Sequence, residues 1–556
     1  MRSLAEKKIQ ALAISVAVTF VALAVIGGIR NYSPVPYWDM WDGYLAFYTR
    51  ITHGDWTAWW AQHNEHRIVL SHILFWIDLA WLGGKGWFLI VVNYLLVAIS
   101  VILFWTILKE RIGRESRSAL ILFGAFFCIW LYSWVQHENL TWGFQSQFFL
   151  ACLLPLAAFY CLHKTLPNCK IPDASSVTWL ILSCVLGIAS LGTMANGVLV
   201  LPLLLIEAVI LRSRGTHIVT LALLAVVGPT LYFHDYHAIA AHGSLVQAVS
   251  ETPLKLLSYI LLYLGGPFYY FLGKGPIAQY IAQALGLFLI GSSVYFLYRS
   301  LHSPRANSLC LALLVFLLYI GGTAVGTAGG RLIFGVATTS RYMTPALFAW
   351  AALVALYAPQ LSKTVRSGRI LRMAIPCIIL LVLMFARQLH ALESHKSELF
   401  ERKVAALALA LQVKDQEQIE TIYPDAEHVE QISREPIAKK ISVFGEPIIE
   451  NAIKLIGGAQ PTMASEDCRG VLEKVRKIPS ERKYVRVTGQ LICEKSTKAV
   501  LLVKGGMVIG YALRGMLKPD LDSERQHLGF KGYMLAKYAN ENWLGSIRFF
   551  MFRPLD

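Results

Sequence analysis

Eleven apolar runs, several with soft boundaries, constrain this chain more than any other feature, because each is a candidate helix for crossing about 30 Å of hydrocarbon. They fall near 9–29, 87–108, 118–136, 147–163, 176–192, 197–212, 216–233, 277–298, 308–327, 344–358 and 370–387. The 556 residues are 56% hydrophobic and only 15% charged, which is more apolar surface than one soluble core buries. Lipid is the solvent for most of the chain, and the expected fold is an all-α polytopic membrane protein with about eleven transmembrane helices. The net charge of +16 does not point to nucleic acid. The basic residues sit in short clusters between apolar runs, as cytoplasmic loops do.

Loop charge also sets direction. Two more apolar stretches, 68–84 and 256–272, are ambiguous. If neither crosses, one side collects Arg2, Lys7 and Lys8, the cluster Lys109, Arg111, Arg114 and Arg117, and Lys164 and Lys170. The same side takes Arg212 and Arg214, Arg299 and Arg305, and Lys363, Arg366, Arg369 and Arg372, and is therefore the cytoplasm. Letting 68–84 alone cross would put the 109–117 cluster outside and leave Asp78 as a lone carboxylate at bilayer depth, which is costly. Both stretches are expected as juxtamembrane helices, lying at the interface or packed against the bundle. The first run follows a basic segment without an A-x-A-like cleavage site, so a retained signal-anchor is expected. The N-terminus is then cytoplasmic and the C-terminus periplasmic, in a bacterial inner membrane.

Past residue 388 the composition changes. Residues 389–413 have helical periodicity with Glu393, Glu398, Glu401, Arg402 and Lys403 on a wet face, which reads as a stalk. KYVRVTGQLIC, KAVLLVKGGMVIGYAL and WLGSIRFFMF are strand-like runs between Gly-rich or charged turns. The expected division is a membrane domain, 1–388, with a first periplasmic loop at 30–86, and a periplasmic part, 389–556, comprising the stalk and a small α+β domain. Only Cys468 and Cys493 of the nine cysteines lie in this tail, and an oxidising compartment favours a bridge between them.

The first outer loop is the richest in chemistry. It reads YWDMWDGYLAFYTRITHGDWTAWWAQHNEHRI, with Asp39, Asp42, Asp55 and Glu65 among Trp and Tyr. An interfacial aromatic belt explains the rings but does not require carboxylates. Asp39 and Asp42 are three apart, so a helical turn puts both on one face. Farther on, VQHENLTWGFQSQ offers His137, Glu138, Asn139, Trp142 and Gln145, amides and rings that suit a sugar and equally a capped helix turn. GGRLIFGVATTSRYMTPA carries Arg331, Arg341 and Tyr342 on the outer side. Outer arginines run against the charge bias, so an anion is expected to hold them, either a polyprenyl phosphate or bulk lipid headgroups. His234, Asp235, His237 and His242 share a loop, but their spacing matches no metal motif, and no metal site is assigned.

From Asp39 through Gly54-Asp55-Trp56 to HNEHRIVLSHILFW, the chain resembles the first periplasmic loop of GT-C glycosyltransferases, in particular lipid A aminoarabinose transferases and protein mannosyltransferases. That family carries an acid after the first span, a helix ending in a GDW-like turn, and an H-x-E-K-P-P-L motif. Asp39 matches the first acid by its distance to Gly54, and Glu65 the second. His66-Arg67-Ile68 stands where the family has Lys-Pro-Pro, so the lysine's lipid-phosphate role would pass to Arg67.

The resemblance implies an inverting transferase that moves a sugar from undecaprenyl phosphate to a periplasmic acceptor, whether lipid A, another glycan or a pilin-like protein. Asp39 or Asp42 is the base, and Arg341 and Arg331, with Tyr342 and Arg67, meet the donor phosphate. Glu65 orients the acceptor or holds a divalent cation. His63, His66, His137, Glu138, Asn139, Trp142 and Gln145 contact sugar or acceptor. The alternatives are a glycan ligase or polymerase, and a lipid-linked glycan flippase, for which Glu207 is the main acid inside a span.

Overall fold

The computed structural model describes residues 2–113, 117–166, 173–239, 242–335, 337–366, 370–461, 467–479, 481–492, 498–517, 529–539 and 546–552. All eleven apolar runs lie on helices. Among the described residues nine helices are long and apolar enough to span, from Glu6–Arg30 to Ile375–Ala410. The runs near 176–192 and 197–212 fall on shorter apolar helices, Ser176–Ser190 and Ala195–Ile210. Leu12, Val18, Val226, Ile277 and Val382 point outward on the long helices, an arrangement stable only against lipid. The chain is a multi-pass membrane protein.

The two ambiguous stretches are also helical. Val69–Trp81 has 13 residues, about 20 Å at 1.5 Å per residue, too short for the hydrocarbon core. It ends in a turn where Gly83, Gly84 and Gly86 all take positive φ. At Gly84 a Cβ would also meet Leu79 Cδ2 at 2.7 Å, so both conformation and space demand glycine. Asp78 is buried here with partners: Tyr44 Oη donates to Oδ2 at 2.6 Å and Gly86 N at 3.0 Å. The second stretch, Pro253–Phe271, packs on Pro276–Leu301 through Gly265 and Gly286. A side chain at either glycine would collide with the facing backbone carbonyl of Ala282 or Leu261, the small-residue contact that lets membrane helices approach closely.

The chain forms two compact units. One comprises Met1–Ile29, Trp60–Ser71 and Leu89–Glu393, the other Arg30–Trp59, His72–Phe88 and Ser394–Asp556. This differs from a single cut near 388, because most of the first loop belongs with the C-terminal unit. The first unit is the helical bundle. Its buried ring donors end on backbone carbonyls, Trp130 Nε1 on Leu347 O at 2.8 Å and Tyr319 Oη on Ala151 O at 2.6 Å, as donors in a dry interior must.

In the second unit the stalk expectation is corrected. The helix Lys396–Ala410 buries every residue from Val404 to Ala410, nearly two full turns, so its second half is a core element on all sides and only its first half is wet. Six strands follow: β1 (Asp467–Lys477), β2 (Tyr484–Ile492), β3 (Ala499–Lys504), β4 (Met507–Met516), β5 (Gly529–Leu535) and β6 (Arg548–Phe552). They close into an antiparallel barrel in the order β1-β2-β5-β4-β3-β6, which removes free edges. Val487, Leu502, Ile509, Phe530 and Phe549 fill its core. Cys468 is disulfide-bonded. Cys493 lies outside the described residues; it follows Ile492, whose β1 partner is Arg469.

Candidate functional site

In the bundle unit, Glu65 sits on a two-residue turn. His63 and His66 close it through backbone bonds of 2.8 and 2.9 Å, and Asn64 takes φ +50, which asparagine tolerates. Arg331 Nη2 donates to Glu65 Oε2 at 3.0 Å, and His242 Nδ1 is ion-paired with Oε1. Tyr232 Oη donates to the Glu65 carbonyl at 3.0 Å. Burial pulls the Glu65 carboxyl upward, but the surrounding cations outweigh it and hold it below the usual carboxylate range. His66 is the largest of those influences, yet burial pushes its own pKa down to about 4. A His66 that is neutral at pH 7 lends no charge, so the permanent charge of Arg331 does the holding. His66 Nδ1 instead accepts the Ala195 N–H at 3.1 Å.

Arg67 is put to a use different from the one expected. It is 4% exposed, and it donates to the carbonyls of Tyr232, Trp60 and His234 at 2.8, 2.6 and 2.6 Å. The rings of Trp60 and Tyr232 flank it. The guanidinium ties the loop to the end of the helix Gly215–Phe233. Of the four polar residues in the 234–242 loop, His242 joins Glu65, while His234 and Asp235 pair with each other in solvent. Among the described residues no three His, Cys, Asp or Glu side chains gather as a ligand set for one ion.

The segments around 137–145 and 331–342 meet in this unit. Asn139 Nδ2 donates to Arg341 O at 2.9 Å and to Thr344 Oγ1 at 2.7 Å, and Ser340 Oγ lies 3.0 Å from His137 Nδ1. Glu138 is within electrostatic range of Arg341, whose guanidinium makes no hydrogen bond among the described residues and lies near the Tyr342 ring. Tyr342 itself is buried against Tyr263, with ring centroids 5.6 Å apart. Trp142 stacks on Phe144, which His63 meets edge-on at 5.4 Å. Gln145 is buried with no partner on Oε1 among the described residues.

Asp39 and Asp42 belong to the C-terminal unit. Trp38, with φ +48, donates its N–H to Ile422 O at 2.9 Å, and the chain then enters a π-helical turn, Trp41–Ala46, a rare form frequent at functional sites. Asp42 is held at both oxygens, by Tyr423 Oη on Oδ2 at 2.9 Å and His428 Nε2 on Oδ1 at 2.6 Å. Asp39 is half-buried, and its carboxylate has no hydrogen bond or ion pair among the described residues. Burial, then the hydrogen bond to Asp42 and the charges of Asp42, Asp39 and Asp425, push the Tyr423 hydroxyl's pKa well up. Sequence reasoning missed Tyr423 and His428. The visible signal was only the cap at Asp425, which accepts the His428 N–H at 3.0 Å.

No protein-family model matches the chain, and no curated protein matches it. Among solved structures, it is similar to the archaeal oligosaccharyltransferase AglB from Archaeoglobus fulgidus, described in complex with an inhibitory peptide and a dolichol-phosphate. That likeness has a TM-score of 0.43 and 11% identity, and it covers 75% of this chain and 60% of that one. The chain thus spans less than two thirds of that protein's length.

Proposed function

We propose that this chain is a membrane-embedded glycosyltransferase. It moves a sugar from a polyprenyl-phosphate carrier, undecaprenyl phosphate in a bacterial inner membrane, to a glycan, lipid or protein acceptor on the periplasmic face. The observation that carries the reading is the contrast between two acids three residues apart. Asp42 is fixed by Tyr423 and His428, while Asp39 keeps a carboxylate with no hydrogen-bond partner among the described residues. A carboxylate of that kind suits a general base. The acceptor hydroxyl gives its proton to Asp39, its oxygen bonds to the anomeric carbon, and the bond from that carbon to the phosphate oxygen breaks with inversion. Arg341, whose donors are uncommitted among the described residues, is assigned to the charge growing on the leaving phosphate. Glu207, the acid a transport route would use, is fully buried without a hydrogen-bond partner among the described residues, which favours an enzyme over a flippase.

The test is release of polyprenyl phosphate from a labelled sugar lipid by purified protein with acceptor. Asp39→Asn is expected to lower turnover by roughly two to four orders of magnitude with donor binding nearly unchanged. Asp42→Asn is expected to hurt less. Wild-type turnover in Asp39→Asn and in the double variant would overturn the assignment.

A further inference from the structure

The helix Ile370–Gln388 carries an arginine that the transferase reading does not use. Gln388 is fully buried and fixes this end of the helix, its Oε1 accepting the Trp134 N–H at 2.9 Å and its Nε2 donating to Tyr132 O at 3.2 Å. Arg387, one residue earlier, is half-buried, and its guanidinium carbon lies 5.1 Å from the ring centroid of Tyr270. Tyr270 Oη donates to Thr338 O at 2.6 Å, and Ser340 Oγ donates to Val135 O at 2.8 Å. The chain neighbours of Arg387 and Arg341 are thus pinned to the adjacent residues Trp134 and Val135, which brings both arginines to one turn of the bundle unit.

Neither guanidinium is spent. Arg387 and Arg341 make no hydrogen bond or ion pair among the described residues, and Arg387 Nε is buried without a partner there. Leaving such a donor unmade is costly. Two acids of the described residues act on them, and both are engaged elsewhere: Glu393 pairs with His390, and Glu138 accepts backbone hydrogen bonds from Ser340 and Arg341. Lys274 Nζ lies 5.0 Å from the Tyr270 centroid, but it is exposed, so water can solvate it. The one residue of these turns outside the described set, Val336, carries no charge. Each guanidinium offers a planar fork of donors. Two forks suit the three acceptor oxygens of a phosphate monoester better than the two unesterified oxygens of a diester.

We propose that Arg387 is a second phosphate-binding residue, which with Arg341 holds one phosphate monoester at this turn. In naming that group as the polyprenyl phosphate left after sugar transfer, this rests on the transferase reading: the donor's phosphate is a diester, and transfer frees its third oxygen. Equilibrium binding of labelled farnesyl phosphate and of its monomethyl ester is measured on the full-length protein in neutral detergent at constant ionic strength. The monoester is expected to bind more tightly, and Arg387→Gln to weaken it about tenfold or more while weakening the diester less. Arg387→Lys, which keeps the charge but not the fork, should fall between. Arg299→Gln removes an exposed cation beside Tyr295 and should change nothing. Thermal unfolding checks that each variant is folded. A folded Arg387→Gln protein with wild-type affinity for the monoester, or an equal loss in Arg299→Gln, overturns the proposal. The wild type gives an independent reading: farnesyl phosphate should protect Arg387 and Arg341 from phenylglyoxal, and an unchanged rate of modification at Arg387 would refute its role. Displacement of the probe by undecaprenyl phosphate at lower concentration than by phosphatidic acid supports the carrier, and the reverse order supports a lipid headgroup. Arg387-dependent binding in a protein that releases no polyprenyl phosphate from a sugar lipid would keep the phosphate site and sink the transferase reading.

Discussion

Arg67→Ala separates a structural arginine from a phosphate-binding one. Its guanidinium supplies the donors for three carbonyls and lies 5.3 and 5.7 Å from the ring centroids of Trp60 and Tyr232. Tyr232 is fully buried, so its carbonyl finds no replacement water, at a cost of about 1–3 kcal/mol. Trp60 is 38% exposed and His234 is exposed, so their carbonyls rehydrate and lose about 0.5–1.5 kcal/mol each. Loss of the cation–ring contacts adds about 1 kcal/mol. The total is about 3–7 kcal/mol, a large part of the roughly 5–15 kcal/mol that holds a typical fold. Arg67→Lys keeps the charge but not the planar fork, and is expected to recover part of the loss. Thermal unfolding in detergent should show a large drop for alanine and a smaller one for lysine. Donor-lipid binding per folded molecule should stay unchanged. An Arg67→Ala protein that melts like the wild type but binds donor lipid weakly would refute this reasoning and return Arg67 to the lipid-phosphate role.

Two further outcomes concern pH and the barrel. Because His66 falls from 6.5 to about 4 on folding, the unfolded chain takes up that proton first. Its contribution, of order 3 kcal/mol at most, is complete above pH 6.5 and is lost as pH falls towards 4. Glu65, also lowered on folding, adds a loss in the same direction below its ordinary 4.5. His66→Gln, whose amide oxygen can still accept the Ala195 N–H, should flatten the fall in melting temperature between pH 6.5 and 4, and an unchanged slope would count against the buried neutral ring. In the barrel, non-reducing electrophoresis should show a faster band that disappears in Cys468→Ser and in Cys493→Ser, with a stability loss of about 3 kcal/mol. Retention of the band in Cys493→Ser would assign another partner to Cys468.

Local physics made the membrane helices legible, since length and apolar content decide whether a segment spans. Asp78 and the charge of the 109–117 cluster likewise marked 68–84 as a stretch that does not cross. The Lys396–Ala410 helix misled because its charges crowd the first half, while the alanines and leucines of the second half, buried on all sides, carry little signal by themselves. Strands β1 and β5 went unseen: β1 is interrupted by charge, and β5, GFKGYML, is short and carries two glycines. Barrel closure is a property of pairings that only the folded chain reveals. The same holds for the acids of the first loop. Tyr423 and His428 lie 381 and 386 residues from Asp42, and no spacing rule reaches that far.

The outer arginines were expected because an anion must hold them, and in the bundle unit the anion on Arg331 is Glu65. That pairing alone is a weak reason to keep an arginine there. The two side chains are only 28% and 22% exposed, and the desolvation that partial burial costs both ions offsets much of their attraction. Weak pairing does, however, make exchange cheap. A phosphate that takes over Arg331 displaces Glu65 from one partner only, since His242 still faces its other oxygen. Arginine keeps its charge at any working pH, so the phosphate meets a full cation, while the displaced carboxylate is not left alone in a partly buried site. On the transferase reading, then, Glu65 acts as a placeholder for the donor phosphate, and His242 determines how little its displacement costs.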